Sequence, residues 1–401
     1  MKKVITFLGT GKYELMTYKL ENEQGEKFEF TSKYVQSALA KMLNDVKFYV
    51  VLTEEAKKIH WIGSEGNGLK KEFDENCTSY EEVPIMDGKS EIEIWEIFNT
   101  VYDLIEEKDE IYVDITHSFR SIPLIIMSVL NYAKYTKNIN IKKIYYGAFE
   151  AKTVDNHEPI FDLSLFNKLT DWSIAADKFL KTGYSEDLSS LIHQAVSQLA
   201  SKNKEAQKVD KLQKKLNEFS NSLYTVRGKK ISDLGLDIKN MLTDLVTINI
   251  DELKPFEKIL NKVKDIFEPY SGDIVFDIYY TANLCAKFNL VQQSYTFLRE
   301  NIINYVASSL HMNLFDRNNR VMIENSLNDK SDRNLNSQIE NIVDYDLRVL
   351  YKNIGEFRNA LAHAGFNDNS PKENKIYDNL KEFIKKFEDQ VLTKYLADKG
   401  L

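Results

Sequence analysis

The periodicity of the chain changes near Phe161, and no other feature limits its fold so tightly. Before that point, short β-rich runs alternate with helical stretches. Residues 3–8 form an apolar run that ends in Gly9-Thr10-Gly11, and residues 17–20 and 28–30 flank Asn22-Glu23-Gln24-Gly25 as the arms of a hairpin would. Residues 47–52 and 111–114 read as buried strands, and 144–147 closes the series. Residues 34–43, 92–105 and a stretch from Pro123 to about Tyr135 carry apolar side chains at helical spacing. This alternation predicts an open, mostly parallel sheet with helices on both faces.

Beyond Phe161 the strand signals nearly vanish. Residues 163–180, 188–199, 212–223, 234–250, 253–267, 279–288, 292–310, 344–363 and 372–397 all read as helices, which predicts an α-helical bundle. The expected fold class is therefore α/β plus all-α, with a Rossmann-like sheet domain over residues 1–162 and a helical region over 163–401. The lysine-rich run 202–215 reads as a solvated helix face or linker. Residues 326–336, rich in Asn, Asp and Ser, read as a mobile loop, and no internal repeat stands out.

Charge excludes one class of partner surface. The net charge is −8, and residues 1–165 hold all of it, with 20 Lys and Arg against 28 Asp and Glu. Neither half is a broad basic clamp for nucleic acid, so an anion site must be local and built from a few aimed donors. No run of about 18 apolar residues is present, so no transmembrane helix is expected. The start reaches Gly-Thr-Gly too soon for a signal peptide and is read as that of a mature, cytoplasmic protein. Cys77 and Cys285 stand far apart without CxxC or CxxH company, which argues against a disulfide framework or zinc site.

Two strand ends in the first half suit an anion. Gly9-Thr10-Gly11-Lys12-Tyr13 follows the first strand, and its glycines let backbone N–H groups approach a phosphate. It is neither a GxGxxG nor a Walker A loop. Asp114-Ile115-Thr116-His117-Ser118-Phe119-Arg120-Ser121-Ile122-Pro123 joins a strand end to a helix start, where anions are attracted. Asp114 and Thr116 also fit a plain capping role. Capping leaves His117 and Arg120 unexplained, so the segment is read as a pocket for a phosphate-bearing nucleotide. In it Arg120 lies near phosphate, and Thr116 and Ser118 bond to phosphate or sugar.

Near the other end stands Arg358-Asn359-Ala360-Leu361-Ala362-His363, in a chain with six histidines. A His moves protons near neutral pH and an Arg clamps a phosphoryl oxygen. Together they suffice to cleave RNA without metal, because the ribose 2′-OH supplies the nucleophile. A five-residue step on a helix separates the two side chains by about 140°. They converge only at a helix start or irregular turn, which Gly355 and Gly365 would permit, or across two subunits. On spacing alone the simpler reading is favoured: Arg358 pairs with a surface carboxylate and His363 caps a helix.

Taken in order, the Gly9-Thr10-Gly11 turn, the Asp114–Pro123 segment and the terminal Arg358…His363 motif resemble an accessory ribonuclease of type III CRISPR systems. In that family a CRISPR-associated Rossmann-fold (CARF) sensor is joined to a HEPN ribonuclease domain. The stretch from Leu169 to Gly183 is similar to the segment that joins the two, whereas residues 184–290 carry no recognised motif. The resemblance implies that cyclic oligoadenylate binds across a CARF dimer and activates a composite HEPN site. Its ligand residues would be Gly9, Thr10, Gly11, Lys12, Tyr13, Asp114, Thr116, His117, Ser118, Arg120 and Ser121. Arg358 and His363 would cleave single-stranded RNA, with Asn359 as positioning helper. No resident cofactor or metal is expected, nor a DNA or membrane partner. The activator is expected to be cyclic tetra-adenylate in preference to cyclic hexa-adenylate. The oligomer is expected to be a homodimer, whether or not dimers assemble further. Thr10, Thr116 and Ser118 are candidates for degrading the activator, an activity left open. The rival readings are a catalytically silent nucleotide-binding sensor, a constitutive HEPN toxin-type ribonuclease and a nucleotide-cofactor enzyme.

Overall fold

The computed structural model describes residues 1–21, 27–117, 121–245, 250, 253–328, 337–366 and 370–399 of the 401-residue chain. They fall into two compact units, Met1–Lys168 and Leu169–Leu401. The boundary thus lies six residues beyond the one expected at 162.

The first unit is built on eight strands: β1 (Lys2–Leu8), β2 (Met16–Glu21), β3 (Lys27–Ser32), β4 (Lys47–Leu52), β5 (Tyr80–Pro84), β6 (Glu110–Asp114), β7 (Asn140–Gly147) and β8 (His157–Asp162). Its helices are α1 (Val35–Met42), α2 (Glu54–Ala56), α3 (Leu69–Glu75), α4 (Glu91–Asp103) and α5 (Ile122–Thr136). A π-helical turn, Lys57–Ile62, continues α2. The strand order is β3-β2-β8-β7-β6-β1-β4-β5. From β7 to β5 every pairing is parallel. The β2–β3 hairpin is antiparallel as expected, and its tip lies outside the described residues.

Two strands were not anticipated. The polar, five-residue β5 joins the far edge. β8 pairs antiparallel to β7 and parallel to β2, so the series does not close at Gly147.

Period-two alternation along β1 places Val4 and Leu8 on one face and Ile5 and Phe7 on the other. The first face packs against Val35, Leu39, Trp61 and Phe73. The second packs against Val101, Ile126, Val129 and Leu130. Chain order reverses between β1 and β6, and in open α/β sheets a ligand crevice opens at such a switch point, beyond the carboxyl ends of the strands.

α6 (Ser164–Thr182) carries the chain into the second unit. There follow α7 (Glu186–Ala200), α8 (Lys204–Tyr224), α9 (Gly228–Leu245), α10 (Glu257–Phe267), α11 (Ile274–Lys287), α12 (Val291–Ser309), α13 (Arg317–Leu327), α14 (Ser337–Ile342), α15 (Tyr345–Ala362), α16 (Glu373–Phe387) and α17 (Thr393–Lys399). The lysine-rich run lies in α8, whose Val209, Leu212 and Leu216 are buried at helical spacing while its lysines face outward. Ser326 and Leu327, read as the start of a mobile loop, instead close α13 with both side chains buried, and 329–336 of that stretch lies outside the described residues. α12 is buried along most of its length and packs against α11, α13, α15 and α16 in one core.

Candidate functional site

The carboxyl ends of β1, β6 and β7 open into a cleft of about 330 Å³. Gly9, Thr10, Gly11, Lys12, Tyr13, Thr116 and His117 line it, as the sequence suggested. Tyr13 is sandwiched between two imidazoles. Its ring stacks on His60 at 3.8 Å and on His117 at 3.9 Å, nearly parallel to both. The Gly9 N–H donates to the Tyr13 Oη at 2.9 Å. His60 Nε2 lies 2.6 Å from the Gly11 carbonyl; a carbonyl only accepts, so Nε2 carries the proton. Burial, the larger effect, and the neighbouring His60 push the His117 imidazole down to about 3, so it is neutral at physiological pH. Its buried Nε2 has no hydrogen-bond partner among the described residues. Burial also holds His60 below its usual value.

Several expected contacts take a different role. Asp114 does not line the cleft. Its carboxylate is fully buried and accepts from Thr6 Oγ1 (2.6 Å), Gln36 Nε2 (3.2 Å), the Thr116 N–H (3.0 Å) and Thr116 Oγ1 (2.5 Å). Burial raises its pKa against the pull of those donors. Thr116 Oγ1 also accepts from the Gly147 N–H at 2.8 Å, so this hydroxyl ties β6 to β7 and has no proton left for a ligand. Ser121 is the N-cap residue of α5, makes no side-chain cap bond and does not line the cleft. The cap is therefore neither Asp114 nor Thr116, which form an Asx-type turn before it. Ser118 and Arg120 lie outside the described residues.

The cleft also contains residues that local motifs did not reveal. Glu158 enters from β8, and its carboxyl is pushed up to about 7, first by burial and then by Glu150 and Asp114. Lys33, Tyr146 and Phe149 line the same cleft. His60 does not line the cleft but supports two residues that do, Gly11 and Tyr13, from a turn 49 residues away in sequence. The only signal for His60 was the rarity of histidine in this chain.

In the helical unit, α15 ends where the sequence placed its motif. Asp344 caps its start by accepting from the Leu347 N–H at 2.8 Å. Leu347, Leu350, Tyr351 and Ile354 form its buried stripe. Arg358 lies within the helix, half-buried, and donates from Nη1 to Asn359 Oδ1 at 3.1 Å. His363 is the exposed C-cap residue. The Gly365 N–H bonds the Ala360 carbonyl (3.0 Å) and the Ala364 N–H bonds that of Leu361 (3.2 Å), which is a Schellman closure.

The helix-start alternative for Arg358 is therefore excluded, and Gly355 makes no break. The capping role read for His363 is present, whereas Arg358 donates to Asn359. His363 and Asn359 line a wide cleft with Phe366, Lys372 and Lys375, and Arg358 is not among its lining residues. Among the described residues, no group of three His, Cys, Asp or Glu side chains is placed to hold a metal, and no helix is long and apolar enough to cross a membrane.

Residues 3–150 match the family model described as the CARF domain of CRISPR system endoribonuclease Csx1. The match supports a CRISPR-associated protein. Residues 168–271 match the second domain of CRISPR-associated protein MJ1674, which fills much of the stretch where no motif was recognised. The MJ1674 protein of Methanocaldococcus jannaschii is 29% identical over 370 residues, covering 86% of this chain and 53% of that protein. The chain thus spans about half the length of the curated relative it matches. A CARF-type sheet domain followed by a mostly helical region is consistent with a Csx1-like accessory role in type III systems.

Proposed function

We propose that this chain is a cyclic-oligoadenylate-activated endoribonuclease that cuts single-stranded RNA without metal in type III CRISPR defence. The observation that carries the reading is His363. It stands exposed at the end of α15, in one cleft with Asn359, Lys372 and Lys375, in a chain whose first domain matches the Csx1 CARF model. In the reaction proposed, His363 takes the proton of a ribose 2′-OH. The O2′ attacks the adjacent phosphorus and the P–O5′ bond breaks. The 5′-oxygen leaves and takes a proton from water, giving a 2′,3′-cyclic phosphate and a 5′-hydroxyl.

Arg358 would stabilise the phosphorane charge. Its direction on the helix, about 140° from His363, favours a site shared by two copies of the chain. Exposed aromatic residues on α4 and α5 (Trp95, Tyr132 and Tyr135) support self-association of the sheet unit. Lys372 and Lys375 would hold RNA phosphates, and Phe366, 94% exposed, offers a face for a base. In the sheet unit, backbone N–H groups of the Gly9-Thr10-Gly11 turn, Lys12 and Lys33 would receive the activator's phosphates. Cyclic tetra-adenylate is the preferred ring.

The test is cleavage of a fluorescent single-stranded RNA in EDTA, with no activator, cyclic tetra-adenylate or cyclic hexa-adenylate. Cleavage is expected with one ring size, and His363→Ala should lose it by a factor of at least about 100 while still binding activator. Cleavage by His363→Ala would remove the catalytic assignment. Equal cleavage without activator would point to a constitutive nuclease, and none under any condition to a silent sensor.

A further inference from the structure

The cleft in the sheet unit contains a group that the proposed mechanism leaves unused. Glu158 is 2% exposed, yet it lines the cleft, and its carboxyl has no hydrogen-bond partner among the described residues. The groups facing it are Glu150 and Lys152 after β7, Asp114 on β6, Tyr18 on β2 and Tyr146 on β7. Lys152, the one cation among them, is already paired with Glu14 at 3.0 Å. Two further carboxyls and a spent ammonium offer little support to a negative charge, and burial together with Glu150 raises the Glu158 carboxyl to about 7. The same cleft is lined by His117, whose buried Nε2 has no hydrogen-bond partner among the described residues.

The cleft is thus divided in chemistry. Lys12 and Lys33 suit phosphate. A buried carboxyl repels phosphate and must meet a part of the ligand that brings donors. A neutral carboxyl offers one donor and one acceptor side by side. The Watson–Crick edge of adenine presents the complement, an acceptor at N1 beside a donor at N6. Aromatic residues Tyr13, Tyr18, Tyr146 and Phe149 supply surfaces for a flat base.

We infer that Glu158 reads an adenine base of the bound activator, its O–H donating to N1 and its carbonyl oxygen accepting from the N6 amine. The inference rests on the oligoadenylate reading above. Binding then requires the protonated carboxyl, so affinity falls as pH rises. An ionised carboxylate that held ribose hydroxyls would give the opposite sign.

The experiment is calorimetric binding of cyclic tetra-adenylate, and separately of cyclic hexa-adenylate, to the full chain between pH 6 and 8. The wild type is expected to lose on the order of tenfold in affinity per engaged Glu158 across that window. His117, held near 3, stays neutral throughout, and burial shifts His60 downward, so the Glu158→Gln profile serves as the control for any histidine contribution. Glu158→Gln presents the same donor and acceptor with no proton to lose. It should retain the pH 6 affinity and show a flat profile, which also separates Glu158 from Asp114. Glu158→Leu should bind at least about tenfold more weakly than Glu158→Gln at both ends, with folding checked by circular dichroism. Affinity that rises with pH, or a wild-type profile as flat as that of Glu158→Gln, overturns the base-reading role and leaves the activator standing. If neither ring binds the wild type at any pH, the activator reading itself fails and this inference with it.

Discussion

Gly9 shows how little room the cleft of the sheet unit leaves. A Cβ there would lie 2.7 Å from the His117 carbonyl oxygen, a backbone atom that cannot swing aside. Gly9→Ala must therefore push the turn away from His117 and disturb the Tyr13 stack. We expect a loss of about 1–3 kcal/mol in denaturant unfolding, together with lost activator binding. An unchanged midpoint would mean that the turn is free to move. Glycine at this position was legible because it follows a strand directly. His60 and Glu158 were not, since nothing local marks them and each arrives from a different part of the sheet unit. Thr116 lines the cleft as its residue type suggested, but part of its hydrogen-bonding capacity is already used. Its hydroxyl proton goes to Asp114 and one lone pair takes the Gly147 N–H, which leaves it able only to accept from a ligand.

The element that carries the candidate catalytic residues is held by a charged network. Arg299 donates from Nη2 to Glu324 Oε1 at 2.5 Å, its guanidinium stacks 4.6 Å from the Tyr351 ring centre, and the Tyr351 hydroxyl donates to the same Glu324 oxygen at 3.2 Å. This ties α15 to α12 and α13. The Arg299 bond is the main reason the Glu324 carboxyl titrates below its usual 4.5. A lowered carboxylate contributes stability above its unfolded value, and that contribution is lost as pH falls through the folded one. Glu324→Gln should cost about 1 kcal/mol at pH 7, discounted for partial exposure, and the variant should lose less than the wild type on acidification below pH 4.5. Parallel acid-unfolding curves would show that the network contributes nothing. The helix itself was readable from its buried stripe and Asp344. Its direction relative to Arg299 was not, because that pairing spans unrelated stretches of sequence.

On the scale of the whole molecule, two compact units allow each site to be followed separately. A ligand that binds only the folded sheet unit stabilises it by mass action, about 2.7 kcal/mol at a hundredfold excess over Kd. Cyclic tetra-adenylate should therefore raise the unfolding transition to which β1, β6 and β7 belong, as read by hydrogen exchange of their amides. If it shifts only amides of Leu169–Leu401, the ligand site belongs to the helical unit. Activation further requires the ligand to favour the cleaving arrangement over the silent one, since equal affinity for both shifts nothing.

Local periodicity determined much of this protein from sequence alone. It supplied the alternation up to Phe161, the helices after it, the turn after β1, the segment after β6 and the terminal Arg358-Asn359…His363 motif. Each of these depends on neighbours a few residues apart, and a period of 2 or 3.6 is written directly into side-chain order. The tertiary structure alone decided what fills the cleft. Pairing of Thr17 with His157 inserts β8 between β2 and β7 and brings Glu158 into the cleft that His117 lines, and the π-helical turn delivers His60 to Gly11. Such meetings join residues tens to more than a hundred positions apart, and they follow from which strand edge remains open once the sheet forms, a property that no local pattern carries.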